Sequence, residues 1–137
     1  MKLPKTVLEE MLNHAREGKP LEICGLLAGR RASGLIEVVQ AIRIRNVHPN
    51  PVKEYLLDPG EQLQAILRVE DELGFEVVGF YHSHPAGPPR FSVTDVAKAT
   101  WPETAYFLVY LAPEEGYRCG IWRGAEHGFV DEPVDLV

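Results

Sequence analysis

The sequence predicts a mixed α/β fold, a central sheet flanked by helices, and three observations lead there. Stretches with apolar residues at helical spacing alternate with stretches rich in Val, Ile, Phe and Tyr. Some of the strand-like stretches are joined by tight turns and others by helical segments, so both antiparallel neighbours and a crossover are required. Finally, 137 residues with 45% apolar content can bury a core without disulfides or structural metals. No internal repeat or linker interrupts the pattern, and residues 1–137 read as a single domain.

The first helix is expected from about Pro4 to Glu17, with Leu8, Met11, Leu12 and Ala15 as its buried stripe and Gly18 ending it. Leu21 to Gly29 is almost wholly apolar after Glu22 and reads as a strand buried on both faces. Arg30 to Gly34 forms the turn, and Leu35 to Arg45 is the antiparallel partner. Asn46 to Pro51 is a loop, and Glu54 to Leu57 is at most a short strand. Asp58, Pro59 and Glu61 mark the start of a second helix whose stripe is Leu63, Ile66, Leu67 and Leu73, before Gly74. Phe75 to His84 is the next strand, stopped by Pro85, and Pro85 to Arg90 is an exposed loop. Ser92 to Asp95 opens a short third helix closed near Trp101-Pro102. Ala105 to Ala112 and Tyr117 to Arg123 are further strands, with one more in the last ten residues.

The net charge of −6 and the lack of clustered Lys/Arg argue against a nucleic-acid binder. The apolar runs are too short to span a membrane, and the charged N-terminal segment does not read as a signal peptide, so a cytoplasmic protein is expected. Cys24 and Cys119 lie in apolar runs and read as buried free thiols.

Chemistry concentrates around His82-Ser83-His84. Residues two apart on a strand point to the same side, so both imidazoles face one place at the strand's end, a pair suited to zinc or another borderline metal. Ser92 and Asp95 share a face of the next helix; they match a capping box, yet the loop before them can bring Asp95 back beside the histidines. Two nitrogens, one oxygen and an open fourth position would be the stoichiometry of a catalytic zinc. Glu22 leads an apolar run, where a carboxylate is either idle at the rim or held at a site. Cys24, two residues on, shares its face. His14, His48 and His127 are assigned no role, Trp101 and Trp122 read as packing residues, and Tyr81 and Phe91 as walls of the site.

His82-x-His84, seven residues, Ser92, two residues and Asp95, with Glu22 in an upstream Glu-Ile-Cys-Gly-Leu-Leu-Ala-Gly segment, together resemble the JAMM (MPN-domain) metallopeptidase motif. The resemblance covers most of the chain. It implies a cytidine-deaminase-like α/β fold holding one zinc per chain on His82, His84 and Asp95. It also implies Glu22 as general acid/base and Ser92 as hydrogen-bond donor to a developing oxyanion. Zinc brings the pKa of a bound water to about 7, within reach of a neighbouring carboxylate.

The activity implied is hydrolysis of the amide at the C-terminal tail of a ubiquitin-like or sulfur-carrier protein, with a homodimer admissible as the assembly. The alternatives from other classes are a non-catalytic MPN-type scaffold and a zinc hydrolase of small amides. Deamination is disfavoured, because the chain has no Cys-x-x-Cys. Pro85 to Arg90 and Asn46 to Glu54 are expected to border a groove for an extended tail, with Val52 to Leu57 lending a strand edge for pairing.

Overall fold

A computed structural model describes residues 1–137. The strands are β1 (Lys2–Leu3), β2 (Cys24–Ala32), β3 (Leu35–Ile44), β4 (Glu76–His84), β5 (Ala105–Tyr110), β6 (Gly116–Trp122), β7 (Phe129–Asp131) and β8 (Asp135–Leu136). They form one sheet in the order β7-β6-β5-β4-β2-β3-β1-β8. The helices are α1 (Lys5–Gly18), α2 (Pro59–Leu67), which runs into a π-helical turn at Arg68–Glu72, and α3 (Val93–Lys98). β4 and β5 are parallel, as their α3 crossover demands, whereas β2 pairs antiparallel with both β3 and β4, so the sheet is mixed as expected.

Each face of the sheet carries its own core. α1 buries Val7, Met11, Leu12 and Ala15 against Leu27, Val78, Tyr81 and Phe107. On the opposite face Ala65, Val69 and Ala99 pack over Cys24, Leu26, Phe80 and Tyr106. No helix is long and apolar enough to cross a membrane. Cys24 and Cys119 are buried free thiols, and burial pushes both up to about 12, so they stay protonated and inert.

Several expected boundaries move. β2 starts at Cys24, not Leu21, so Glu22 precedes the strand, and β2 continues to Ala32. The hairpin turn therefore shrinks to Ser33-Gly34, whose φ values of +52° and +76° suit the mirror-image turns that match strand twist. Asp58 caps α2 as expected, accepting from the Gly60 and Glu61 amides. Its stripe is only partly as expected: Ile66 packs half-buried against the core, but Leu63 and Leu67 are 58% and 48% exposed, and the buried positions are Ala65 and, one turn on, Val69. The last ten residues hold two strands, β7 and β8, where one was expected, and β1 is new; the two-residue strands β1 and β8 are too short to show a period of two.

One irregularity decides which face the site occupies. Along β2 and β4, Leu27 pairs with Gly79 but Ala28 pairs with Val77, which leaves Val78 as an extra residue. Such a bulge breaks the alternation. Val77 and Phe80 consequently lie in the core under α2 while Val78 and Tyr81 lie in the core under α1. Phe80, His82 and His84 thus project toward α2 and α3. Gly79 permits the close approach of β5, since a methyl there would stand 2.6 Å from the Ala105 carbonyl oxygen.

Candidate metal centre

The four residues singled out as ligands or acid/base converge. His82 and His84 end β4 with ring centroids 5.1 Å apart. The loop after Pro85 folds back, and α3 sets Asp95 Oδ2 at 3.2 Å from His82 Nε2 and 3.0 Å from His84 Nε2. Glu22 arrives from the segment before β2, and one ligand atom each from Glu22, His82 and His84 lie within 4.8 Å of one another. All four side chains are buried.

Ser92 and Asp95 do form the capping box that their spacing allows. Ser92 Oγ accepts from the Asp95 amide at 3.0 Å, and Asp95 Oδ2 accepts from the Ser92 amide at 2.8 Å. Cap and cluster are therefore not alternatives, because the same carboxylate oxygen serves both. The Ser92 hydroxyl spends only a lone pair in the cap and keeps its proton to donate.

The two imidazoles are held differently. His84 Nδ1 faces the Pro88 carbonyl at 3.0 Å; a carbonyl can only accept, so Nδ1 carries the proton and, in the neutral ring, Nε2 presents its lone pair to the cluster. His82 is oriented by Tyr55, whose ring stacks on it at 4.3 Å and 20°. Nothing in the spacing pointed to Tyr55. Ser83, between the histidines, points the other way and binds Ile23: the Ile23 amide donates to Ser83 Oγ at 2.9 Å.

Burial is the largest single influence on each of the four groups, and it prevails at two of them. It pushes Glu22 up to about 7, with Asp95 adding to the rise and His84 opposing it. Burial likewise lowers His82 despite the neighbouring carboxylate. At His84 burial is outweighed by Asp95 and the Pro88 carbonyl, so its pKa rises. At Asp95 burial favours the neutral acid, but the two imidazoles outweigh it and hold the carboxyl well below the usual range.

These residues fit a metal ion. The buried polar side-chain atoms with no hydrogen-bond partner are Glu22 Oε1 and His82 Nε2, the latter close to Asp95 without hydrogen-bond alignment. Buried polar atoms are normally satisfied, and two orphans in one cluster of imidazole and carboxylate donors suit a borderline cation.

A groove of about 340 Å³ lies beside the cluster, lined by Tyr55, Leu56, Phe80, Trp101 and Tyr106 with Lys98 at its edge. Trp101 packs edge-on to Phe80, 41% exposed. The segment Val52–Leu57 is no strand of the sheet and makes a single antiparallel bridge, Leu57 to Asn46. The Lys53 and Glu54 amides bond the Asn50 carbonyl, the Tyr55 carbonyl accepts from Lys98 Nζ, and the Leu56 carbonyl accepts from the Val47 amide. Part of its main chain is thus held by the protein itself, while the Tyr55 and Leu57 amides bond no other group of the chain. His14 is no plain surface residue either: its half-buried ring bonds the Tyr81 hydroxyl at 2.8 Å on the opposite face of the sheet.

Comparison with known proteins agrees with this arrangement. A desampylase of Haloferax volcanii is 38% identical over 122 residues, covering 86% of this chain and 84% of its own. A CysO-cysteine peptidase of Mycobacterium tuberculosis is 36% identical over 131 residues, covering 96% and 87%. The solution structure of a Desulfitobacterium hafniense protein superposes with a TM-score of 0.87 at 34% identity, covering 99% of this chain and 92% of that one. The family of prokaryotic homologs of the JAB domain matches residues 4–123, which take in everything from α1 to β6 with the whole cluster between, and the chain belongs to that family.

Proposed function

We propose that this protein is a zinc-dependent peptidase or isopeptidase, working as one domain over residues 1–137, that hydrolyses the amide at the C-terminal tail of a ubiquitin-like or sulfur-carrier protein. The observation that carries the proposal is the buried cluster, with its two unpartnered polar atoms at the end of β4. The names of the relatives, a desampylase and a CysO-cysteine peptidase, support the reaction class.

His82, His84 and Asp95 would hold one zinc per chain. When bound, zinc supplies a Lewis acid that polarises a carbonyl and acidifies water. Glu22 is the proton carrier: with its carboxyl near 7, it accepts a proton from the attacking water and returns it to the leaving amine. Ser92 donates its free hydroxyl proton to the oxygen on which negative charge develops. The substrate tail lies extended between the Pro85–Arg90 loop and the 46–57 loop, gripped by side chains of the apolar groove. Neither nucleic acid nor membrane takes part, and the two free thiols, Cys24 and Cys119, suit a cytoplasmic setting.

Metal analysis of the purified protein tests the centre: about one zinc per chain is expected, and it should be lost from His82→Ala and His84→Ala. Two substrates then test the reaction, a fusion carrying a Gly-rich tail on a ubiquitin-like fold and a set of amino-acid amides and dipeptides. Chelator-sensitive cleavage of the fusion alone is the expected result. Equal or better cleavage of the small amides would move the protein to the small-molecule hydrolases, and no zinc would move it to the scaffolds.

A further inference from the structure

Glu22 stands outside the ladder that holds its neighbours, since β2 begins only at Cys24. Its buried Oε1 has no hydrogen bond to steer it. The position of this carboxylate therefore depends on what fixes its main chain.

The main chain is fixed from the 46–56 loop, and a single side chain organises that loop. Asn46 Nδ2 donates to the Glu22 carbonyl oxygen at 2.9 Å and to the Glu54 carbonyl oxygen at 3.0 Å. Its Oδ1 accepts from the His48 and Leu56 amides, each at 3.0 Å. Both protons and both lone pairs of the amide are used, all on main chain. The orientation is unambiguous, because exchanging O and N would turn donors on donors and acceptors on acceptors. The closed loop also reaches Glu22 from its other side: the Glu22 amide donates to the Pro51 carbonyl at 2.8 Å. The same loop carries Tyr55, which stacks on His82.

We infer that Asn46 is a positioning residue for Glu22, clamping the loop onto the Glu22 peptide so that the carboxylate is presented to the histidine pair at a fixed place. The inference rests on reading Glu22 as the proton carrier. Small displacements matter at such a site, where about 1 Å of misplacement can cost on the order of 10² in rate.

Two variants separate positioning from general support. Asn46→Asp keeps the oxygen facing His48 and Leu56 but loses both donated bonds, including the one to Glu22; Asn46→Ala loses all four. In either folded variant, kcat on the tail fusion should fall by about 30- to 100-fold while KM and zinc content stay within about threefold of the parent. The decisive measurement repeats both substitutions in Glu22→Gln. An effect exerted through the Glu22 carboxylate disappears once that carboxylate is gone, so the residual rate should change by less than about threefold. A full additional loss in the Glu22→Gln background would overturn the inference, as would an unchanged kcat, a rise confined to KM, or failure of both variants to fold. Glu22→Gln that is itself active would overturn the prior reading of Glu22, and that result is seen before any Asn46 variant is made.

Discussion

Ser92 and Asp95 occupy one turn, cap one helix and exchange two hydrogen bonds, and replacing each by Ala in turn separates cap from ligand. In either replacement α3 loses a capping bond, the 3.0 Å bond to Ser92 Oγ or the 2.8 Å bond to Asp95 Oδ2. Each loss costs about 1 kcal/mol. For a chain of this size the Ser92→Ala loss is a fall of about 3–5 °C in Tm, measured in chelator, and Asp95→Ala, which also gives up the contacts with His82 and His84, should fall at least as far. Zinc then separates them. At a free concentration about a thousandfold above Kd, binding stabilises the folded state by about 4 kcal/mol, or roughly 12–16 °C. Ser92→Ala keeps His82, His84 and Asp95 and should keep nearly all of this increment. Asp95→Ala removes the oxygen that stands 3.2 and 3.0 Å from the two imidazoles and should lose most of it. Thermal melts with and without zinc are the assay. Equal zinc-dependent increments in the two variants would refute the reasoning and leave Asp95 a cap alone.

Glu22→Gln preserves shape but not basicity, so zinc content should be unchanged while turnover falls by more than about 10²; retention of above a tenth, a deficit of only about 1.4 kcal/mol, rules out the assigned role. His14 gives a pH dependence on the far face of the sheet. Burial, assisted by Arg43, lowers it to about 4, whereas an unfolded histidine titrates near 6.5. Between those values the unfolded chain binds a proton that the folded chain refuses, so stability falls as pH drops from 6.5 toward 4. Allowing for solvent around a half-buried ring, the loss is about 1–2 kcal/mol, read as the pH-dependent part of the difference in urea unfolding between the parent and His14→Gln; a pH-independent difference rejects it. Gly25→Ala would drive a methyl into the Ile42 carbonyl oxygen and the Tyr81 ring, and should cost at least about 2 kcal/mol in the same unfolding assay, with a neutral result excluding this packing.

How far the sequence could be read depended on the range of the rule applied. His82 and His84 were legible because same-side placement two residues apart is local, and so was the capping pair of Ser92 and Asp95. Glu22 was not, since Glu54, Glu61, Glu70 and Glu103 are equal candidates until the family motif selects among them. The α2 stripe failed because periodicity counts Leu63 and Leu67 as core, whereas packing against the sheet chose the smaller Ala65 and Val69. The stacking of Tyr55 and the bonds that hold the main chain of Val52–Leu57 were beyond reach for another reason. They depend on Lys98, Val47 and His82, partners distant in sequence and without any repeat or motif to announce them.

The extra residue at Val78 makes the centre a matter of parity. A strand assigns its side chains to two layers by counting in twos, and the bulge is a single unpaired count between Val77 and Phe80. Three steps from Val77 to Phe80 thus return the chain to the face it left, where a regular strand would need two. Were the strand regular with every residue kept, His82 and His84 would pass through the sheet to the layer of α1, away from Asp95, and Tyr81 would take their place. Deleting Val78 instead makes the count two, so Val77, Phe80, His82 and His84 would keep their faces on a plain strand and the loss would fall on the core beneath α1 that Val78 fills. One change of length is therefore open to this site at the bulge, whereas a single deletion or insertion between Phe80 and His82 would turn the histidines away from Asp95.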